Sequence, residues 1–363
     1  MGEGERGAAQ AAGIEPEVVD LAQLAGTEAL EREWLGLAER HEGSSYFQTP
    51  DWVLSWWDTL AARPRTRVAA WRDPSGRLDA IVALSRGRER LHRRLPLAVS
   101  VFANSGSGPG DGDHCAWLVG PERTEAVAEW LTDAVGRSTL LVRSAAAQWS
   151  AEGLPAGART VGLTACPRLA LPVAAATGEP SKDFVRQLRR FGRRLERQGV
   201  RFEWVDPPGV DEPLLDALFE LHAQGRHGGS FGRDKLAFHR QLSGRAEPGR
   251  GPAAAVARRE GQIVGVLYGF WWRDTFAAYQ QGWDRAFARE ALGNQLVLHA
   301  LEFATERGAR TFDFLRGTEP YKYRFGARDD WDRTWLVPNG LAGKLLAASR
   351  RTGRPAAGPR PSD

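Results

Sequence analysis

Residues 308–327, GARTFDFLRGTEPYKYRFGA, decide how the fold is read. Residues 311–315 form a short apolar run of strand character, which breaks at Arg316-Gly317 into a polar turn. A compact element, Tyr321-Lys322-Tyr323-Arg324-Phe325-Gly326, follows. The helical pattern over 290–307 lies just before it, so the segment closes a strand–helix–strand unit. Fixed cations and phenols just past the C-terminal end of a strand occupy the place where open α/β sheets put their ligands. The alternative is a strand end with a solvated turn.

Working outward, three strand-like runs precede that unit, over 254–258, 263–272 and 276–282. The breaks between them, Glu260-Gly261 and Arg273-Asp274, are short hairpin signals. Helices are expected over 182–198, with apolar Phe184, Leu188, Phe191 and Leu195, and over 212–224 and 235–242. A last strand is expected near 335–337. Antiparallel hairpins feeding a strand–helix–strand crossover predict a mixed sheet in an α/β fold.

The first half has a similar order. LEREWLGLAER and TPDWVLSWWDTL read as helices, the second capped by Thr49 or Asp51 with Pro50 in its first turn. Val53, Trp56, Trp57 and Leu60 share one face, which reads as core. Strands over 67–71, 78–84 and 97–102 lead to a Gly-rich loop, ANSGSGPGDGDHCAWLVG, that runs into a strand at Cys115. A helix over 122–135 and a strand over 138–142 follow. The expected division is a domain over 17–176 and another over 182–345, with disordered ends at 1–16 and 350–363.

Composition narrows the class. A length of 363 residues, 42% hydrophobic and 26% charged, suits two soluble globular domains. The net charge of +4 suits phosphate-bearing ligands without demanding nucleic acid. Two distant cysteines make neither a zinc site nor a disulfide scaffold and fit a reducing cytosol. No run approaches the roughly 20 apolar residues of a membrane span. The expectation is a cytoplasmic protein, at most peripheral to the membrane, with no metal.

Several stretches, in this order, resemble one acyltransferase branch: YFQTPDWVLSWWDTL, GDGDH, KDFVRQLRRFGRRLERQGV, LHAQGRHGG and FDFLRGTEPYKYRFGA. The chain resembles the CelD/BcsL-type GNAT acetyltransferases of cellulose and exopolysaccharide biosynthesis, which are similar to the FemABX aminoacyltransferases. The resemblance implies two tandem GNAT-like domains, each a mixed, mostly antiparallel sheet flanked by helices. It implies transfer of an acyl group from acetyl-CoA or another acyl-CoA, or in the FemABX relatives from aminoacyl-tRNA, to an amine or hydroxyl. The partners it implies are a small-molecule or glycan-precursor acceptor and a polysaccharide-synthesis complex, with nucleic acid only if tRNA is the donor.

In such an enzyme a helix start after a central strand holds the donor's pyrophosphate on unpaired amides. The matching stretch is Arg289, Ala291, Leu292, Gly293 and Asn294. Gly293 takes the last small position of the Arg/Gln-x-x-Gly-x-Gly/Ala signature, Ala291 the preceding Gly, and Ala288 the leading Arg/Gln, so the loop is degenerate. Lys322 matches the basic residue placed to neutralise charge near the reacting carbonyl, because attack on an acyl carbon builds an oxyanion. Tyr321 or Tyr323 is a candidate proton donor. If the element is a strand, both phenols lie on one face, opposite Lys322.

Asp313 needs a partner inside a strand, with Arg316 or Lys322 nearby; it reads as structural, with general base as the alternative. Asp113 and His114 follow a Gly-rich loop that is not a P-loop; they are either acceptor-side groups or ordinary loop residues. His222 and Arg226 lie at a helix end and in the loop after it. Tyr279 and Gln281 are expected on one face of their strand and Gln280 on the other. His114, His222, Arg226, Tyr279, Gln281 and Arg316 are therefore the substrate-binding candidates, and Lys322, Tyr321, Asp113 and Asp313 the catalytic ones. Arg186, Arg189, Arg190, Arg193, Arg194 and Arg197 form either a solvated helix surface or a phosphate-binding one. A catalytically silent accessory protein is the alternative to an enzyme.

Overall fold

The structure, a computed structural model, describes residues 15–24, 28–91, 97–108, 111–146, 149, 151–172, 180–225 and 231–350. The disordered ends expected at 1–16 and 350–363 fall almost wholly outside these residues. The strands are β1 Glu17–Asp20, β2 Thr66–Arg72, β3 Leu78–Arg90, β4 Ala98–Asn104, β5 Leu118–Val119, β6 Thr139–Ala145, β7 Arg159–Ala170, β8 Val200–Val205, β9 Arg250–Arg259, β10 Gln262–Trp272, β11 Thr275–Trp283, β12 Thr311–Asp313 and β13 Arg328–Val337. The α-helices are α1 Leu21–Leu24, α2 Glu28–Arg40, α3 Pro50–Ser55, α4 Thr124–Val135, α5 Lys182–Arg197, α6 Glu212–Ala223, α7 Leu236–Gly244, α8 Leu292–Glu306, α9 Pro320–Arg324 and α10 Gly340–Ser349. The chain divides into two compact units, residues 1–164 with 331–356, and 165–330 with 357–363.

In the first unit the strands run in the order β1-β2-β3-β4-β6-β13, with β5 on β3. All pairs are antiparallel except β4 with β6, which α4 connects in parallel. Val127, Leu131 and Val135 of α4 recur at helical spacing and bury against Val82, Leu84, Leu140 and Val142. Thr49 caps α3 by accepting from the Trp52 amide, and Pro50 opens the helix. That helix continues through Trp56–Leu60 as a wider turn, and Trp56 and Trp57 are buried as expected. The strand expected at Cys115 is displaced to Leu118–Val119.

In the second unit the order is β7-β12-β11-β10-β9-β8. Only β11 with β12 is parallel. The hairpin turns fall at Glu260-Gly261 and Arg273-Asp274, where the sequence signals place them. Phe184, Leu188 and Leu195 of α5 and Leu292, Leu296 and Ala300 of α8 cover one face, with Leu267, Phe276 and Phe312 of the sheet beneath them. Burial of each such side chain contributes about 1.5–3 kcal/mol. Each unit is thus a mixed, mostly antiparallel sheet flanked by helices, the fold class the sequence predicts.

Candidate active site

The parallel pairing of β11 with β12 covers only Thr275↔Thr311, Phe276↔Phe312 and Ala277↔Asp313. Beyond these, residues 278–283 of β11 continue alone, while the chain after β12 turns to β7: Phe314 N donates to Pro167 O at 2.9 Å and Gly317 N to Ala165 O at 3.0 Å. Leu315 adopts a left-handed φ of 53° at this departure. Two parallel strands that part company leave backbone groups of β11 without a ladder partner on that side, which suits a ligand carrying an amide or carbonyl. The opening therefore begins after Phe276 and Phe312, which are themselves fully buried.

A bulge then reorients the open strand. Gly269 pairs with Ala278 and Tyr268 with Gln280, so Tyr279 is the extra residue. Alternation reverses there. Phe276 and Ala278 face the α5/α8 side, and so does Trp283. Tyr279 joins the rings of Phe231, His239 and Phe270 on the other side. Gln281 stands opposite Leu267, a residue of the α5/α8 core. The expected sharing of a face by Tyr279 and Gln281 is thereby corrected: one extra residue sends them to opposite sides.

Consecutive residues at the end of β11 are met by different helices. A Cβ on Gly282 would lie 2.6 Å from the His222 amide nitrogen of α6, and one on Gly293 2.8 Å from Trp283 Nε1. Glycine at both places permits these close approaches. Arg285 stacks over the Trp283 ring, 4.2 Å from its centroid.

The helix start expected at residue 290 lies at Leu292, after a 3-10 segment Arg285–Glu290. Ala291 between them is left-handed, φ 52° and ψ 47°. That is a glycine conformation, at the position where the signature carries glycine. Its carbonyl accepts from Asn294 N at 2.9 Å and Gln295 N at 3.1 Å, which leaves Leu292 and Gly293 as the first amides of the helix. Arg289 is exposed beside them. These amides, the helix dipole and one arginine fit a pyrophosphate group; the leading position, Ala288, contributes nothing to it.

Lys322 is buried, and its ammonium is fully engaged. Nζ donates to the carbonyls of Leu315 at 3.2 Å, Arg316 at 2.8 Å and Gly317 at 3.1 Å, and lies 3.0 Å from Glu319 Oε2. Three donors meet three carbonyls, so the lysine fixes the turn that carries the chain away from β11. The element around it is one helical turn, Pro320–Arg324, and the strand-like placement of its phenols does not apply. Tyr321 packs edge-on against Phe314, while Tyr323 donates to Asp329 Oδ1 at 2.6 Å. Burial, and secondarily the Glu319 carboxylate, pushes the Tyr321 phenol above the usual range, so it stays protonated at neutral pH. Burial and the bond to Asp329 do the same for Tyr323.

Asp313 is buried and accepts from Arg168 Nε at 2.7 Å and from Leu315 N at 2.7 Å. Its cationic partner is thus Arg168 on β7, rather than the Arg316 or Lys322 that sequence proximity favoured. His222 Nδ1 lies 3.0 Å from the Gln281 carbonyl. Arg226 lies outside the described residues. In the first unit, buried Asp113 and His114 do not lie in a surface loop. His114 Nδ1 is 2.6 Å from Asp332 Oδ1, and its amide donates to Oδ2 at 2.7 Å. Arg168 and Asp332 escaped sequence reasoning because each pairs across a long stretch of chain, and neither sits in a motif.

Residues 182–323 match the family model of the acetyltransferase (GNAT) domain. The fold is similar to that of FemX, with a TM-score of 0.59 and 10% identity over 88% of this chain and 98% of FemX. It is similar to the C-terminal domain of a putative lysylphosphatidylglycerol synthetase from Agrobacterium fabrum, with a TM-score of 0.56 and 14% identity over 88% of this chain and 95% of that one. The L-PGS of Bacillus licheniformis follows, with a TM-score of 0.52 and 14% identity over 84% and 96%. No curated protein matches by sequence. The second unit therefore carries a GNAT-type domain, which supports an acyltransferase. Among the described residues no helix is long and apolar enough to cross a membrane.

Proposed function

We propose that the chain transfers an acyl group from an acyl-CoA thioester to an amine or hydroxyl of a glycan precursor or other small acceptor, in polysaccharide or cell-envelope assembly. The observation that carries this reading is the parting of β11 from β12 after Ala277 and Asp313, beside the start of α8. In this reading the Leu292 and Gly293 amides, with Asn294 and Arg289, hold the pyrophosphate, and the acyl end lies along the unpaired edge of β11. The bound donor supplies a thioester carbonyl. Lys322 holds the far wall of the opening through the 315–317 carbonyls. Tyr321, protonated at neutral pH, is the proton donor toward the leaving sulfur. Asp313 keeps the end of β12 in place, and Tyr279 and Arg316 line the acceptor's approach. The pathway follows the resemblance to the CelD/BcsL branch.

A thermal shift with CoA tests this directly, since a ligand that binds only the folded chain at 100 times its Kd adds about 2.7 kcal/mol. Stabilisation by CoA and acetyl-CoA is expected. No shift with either favours a catalytically silent accessory protein of a polysaccharide-synthesis complex.

One observation favours a second donor. Arg189, Arg193 and Arg197 recur along the exposed side of α5, with Arg190 and Arg194 beside them. Arg186 pairs with Asp183, and Asp183 and Glu196 are the only acids of the helix. Such a row suits phosphodiesters, and an aminoacyl-tRNA as donor in the manner of FemABX enzymes follows from it. Parallel donor trials with acyl-CoA and charged tRNA separate the two.

A further inference from the structure

His222 has one ring nitrogen assigned and one left over. Nδ1 lies 3.0 Å from the Gln281 main-chain oxygen, which can only accept, so Nδ1 carries the proton. Nε2 then presents a lone pair. It is shielded from solvent and has no hydrogen-bond partner among the described residues. Gln281 Oε1, on the same open stretch of β11, is likewise buried without a partner. An imidazole whose Nδ1–H is held by a backbone carbonyl, with its other nitrogen left unanswered, is organised to receive a proton there. Leaving such an atom unsatisfied is costly unless something that binds there completes it. Phe231 meets the ring edge-on at 5.4 Å and fixes its plane.

The position has a second property. Gly282 and Trp283 turn consecutive faces of β11 to α6 and to α8. The donor assigned to the start of α8 lies on one face of this open strand and a group approaching from the end of α6 on the other, so the two would meet across the gap that β12 leaves. From this we propose that His222 is the catalytic base for the acceptor. The inference rests on the acyl-transfer reading. The acceptor's N–H or O–H proton passes to Nε2 as the heteroatom's lone pair forms its bond to the thioester carbonyl carbon. The C–S bond then breaks as the Tyr321 phenol protonates the departing thiolate, and the imidazolium gives its proton up to water, from which the phenolate is restored. The acceptor class this predicts is a neutral hydroxyl or amine whose hydrogen points at Nε2.

The test needs no identified acceptor, because water can stand in for one. The full chain, His222→Ala and His222→Gln are incubated with acetyl-CoA, and thiol release is followed alongside the CoA thermal shift. Histidine ¹⁵N spectra of the unliganded protein read the tautomer independently. The expected result is a protonated Nδ1, an unchanged CoA shift in both variants, and thiol release slowed about 100-fold or more. A His222 found protonated on Nε2 overturns the assignment whatever the donor. So does thiol release within threefold of wild type in both variants, or a wild-type chain that binds CoA and releases no thiol. A wild-type chain that shows neither shift nor release fails the acyl-CoA reading itself, and the base falls with it.

Discussion

The two ends of β11 differ in kind. From Thr275 to Ala277 the strand is paired on both sides, and Phe276 and Phe312 are fully buried against each other at 5.5 Å. From Ala278 to Trp283, among the described residues, it is paired on β10 only and carries a bulge, and Gln281 Oε1 and the neighbouring His222 Nε2 are buried with no partner among those residues. One end spends its residues on packing. The other tolerates imperfect packing and unsatisfied polar atoms, which a fold keeps where a ligand is to complete them.

The sharpest way to break this contrast is to truncate the closed end. Phe312→Ala is expected to destabilise the protein by about 3–5 kcal/mol, through lost transfer energy and the cavity it leaves. Urea unfolding measures this; a loss under about 1 kcal/mol would show that the paired end is not the anchor.

Next in size is a histidine that looks like His222 but is wholly enclosed. His239 bonds the Tyr268 hydroxyl at 3.1 Å, and its Nε2 also has no partner among the described residues. Burial, with Lys235 second, pushes its pKa down from 6.5 to about 3. The unfolded chain therefore binds a proton that the folded chain refuses throughout this window. The contribution is whole above pH 6.5 and is lost as pH falls toward 3, at about 1.4 kcal/mol per unit. Between pH 7 and pH 5, unfolding free energy is expected to drop by about 2 kcal/mol in the wild type and by clearly less in His239→Gln. Equal slopes in the two proteins would remove His239 as the cause.

A smaller effect is expected at the open end. Ala291 is left-handed, so Ala291→Gly relieves about 1 kcal/mol of backbone strain in the folded state, set against the freedom gained by the unfolded chain. A small net stabilisation together with tighter CoA binding is the expected outcome, and a weaker CoA shift would separate this turn from the donor. The smallest effect belongs to Gln281→Leu. Its buried Oε1 has no partner to lose among the described residues, so stability should stay within about 1 kcal/mol of wild type. A loss as large as that of Phe312→Ala would erase the distinction between the two ends.

Much of the second unit was legible before its structure. Glu260-Gly261 and Arg273-Asp274 marked hairpins, and Phe184, Leu188 and Leu195 marked the buried side of α5. Strand β8 was not read, because VRFEWV alternates apolar and charged residues at a sheet edge over only six positions. Strand β7 was hidden by Gly162 and Pro167, yet Pro167 needs no amide bond there and its carbonyl serves Phe314. Helix α10 was missed with them. In the candidate site, the sequence singled out Lys322, Asp313 and His222 as candidates but not what they touch. A bulge at Tyr279 and a partner at Arg168 depend on register and on contacts across the sheet, which no local pattern records.

Strand β7 has a practical meaning for anyone isolating the GNAT-type domain. A fragment cut to the matched span, 182–323, would discard residues 165–170 and with them the neighbour of β12. The Phe314 and Gly317 amides would face solvent, and the Asp313 carboxylate would lose its guanidinium. Such a fragment would present a raw sheet margin to other copies of itself. Precipitation of that piece would report on where the cut was made, and nothing about the chemistry the intact protein performs.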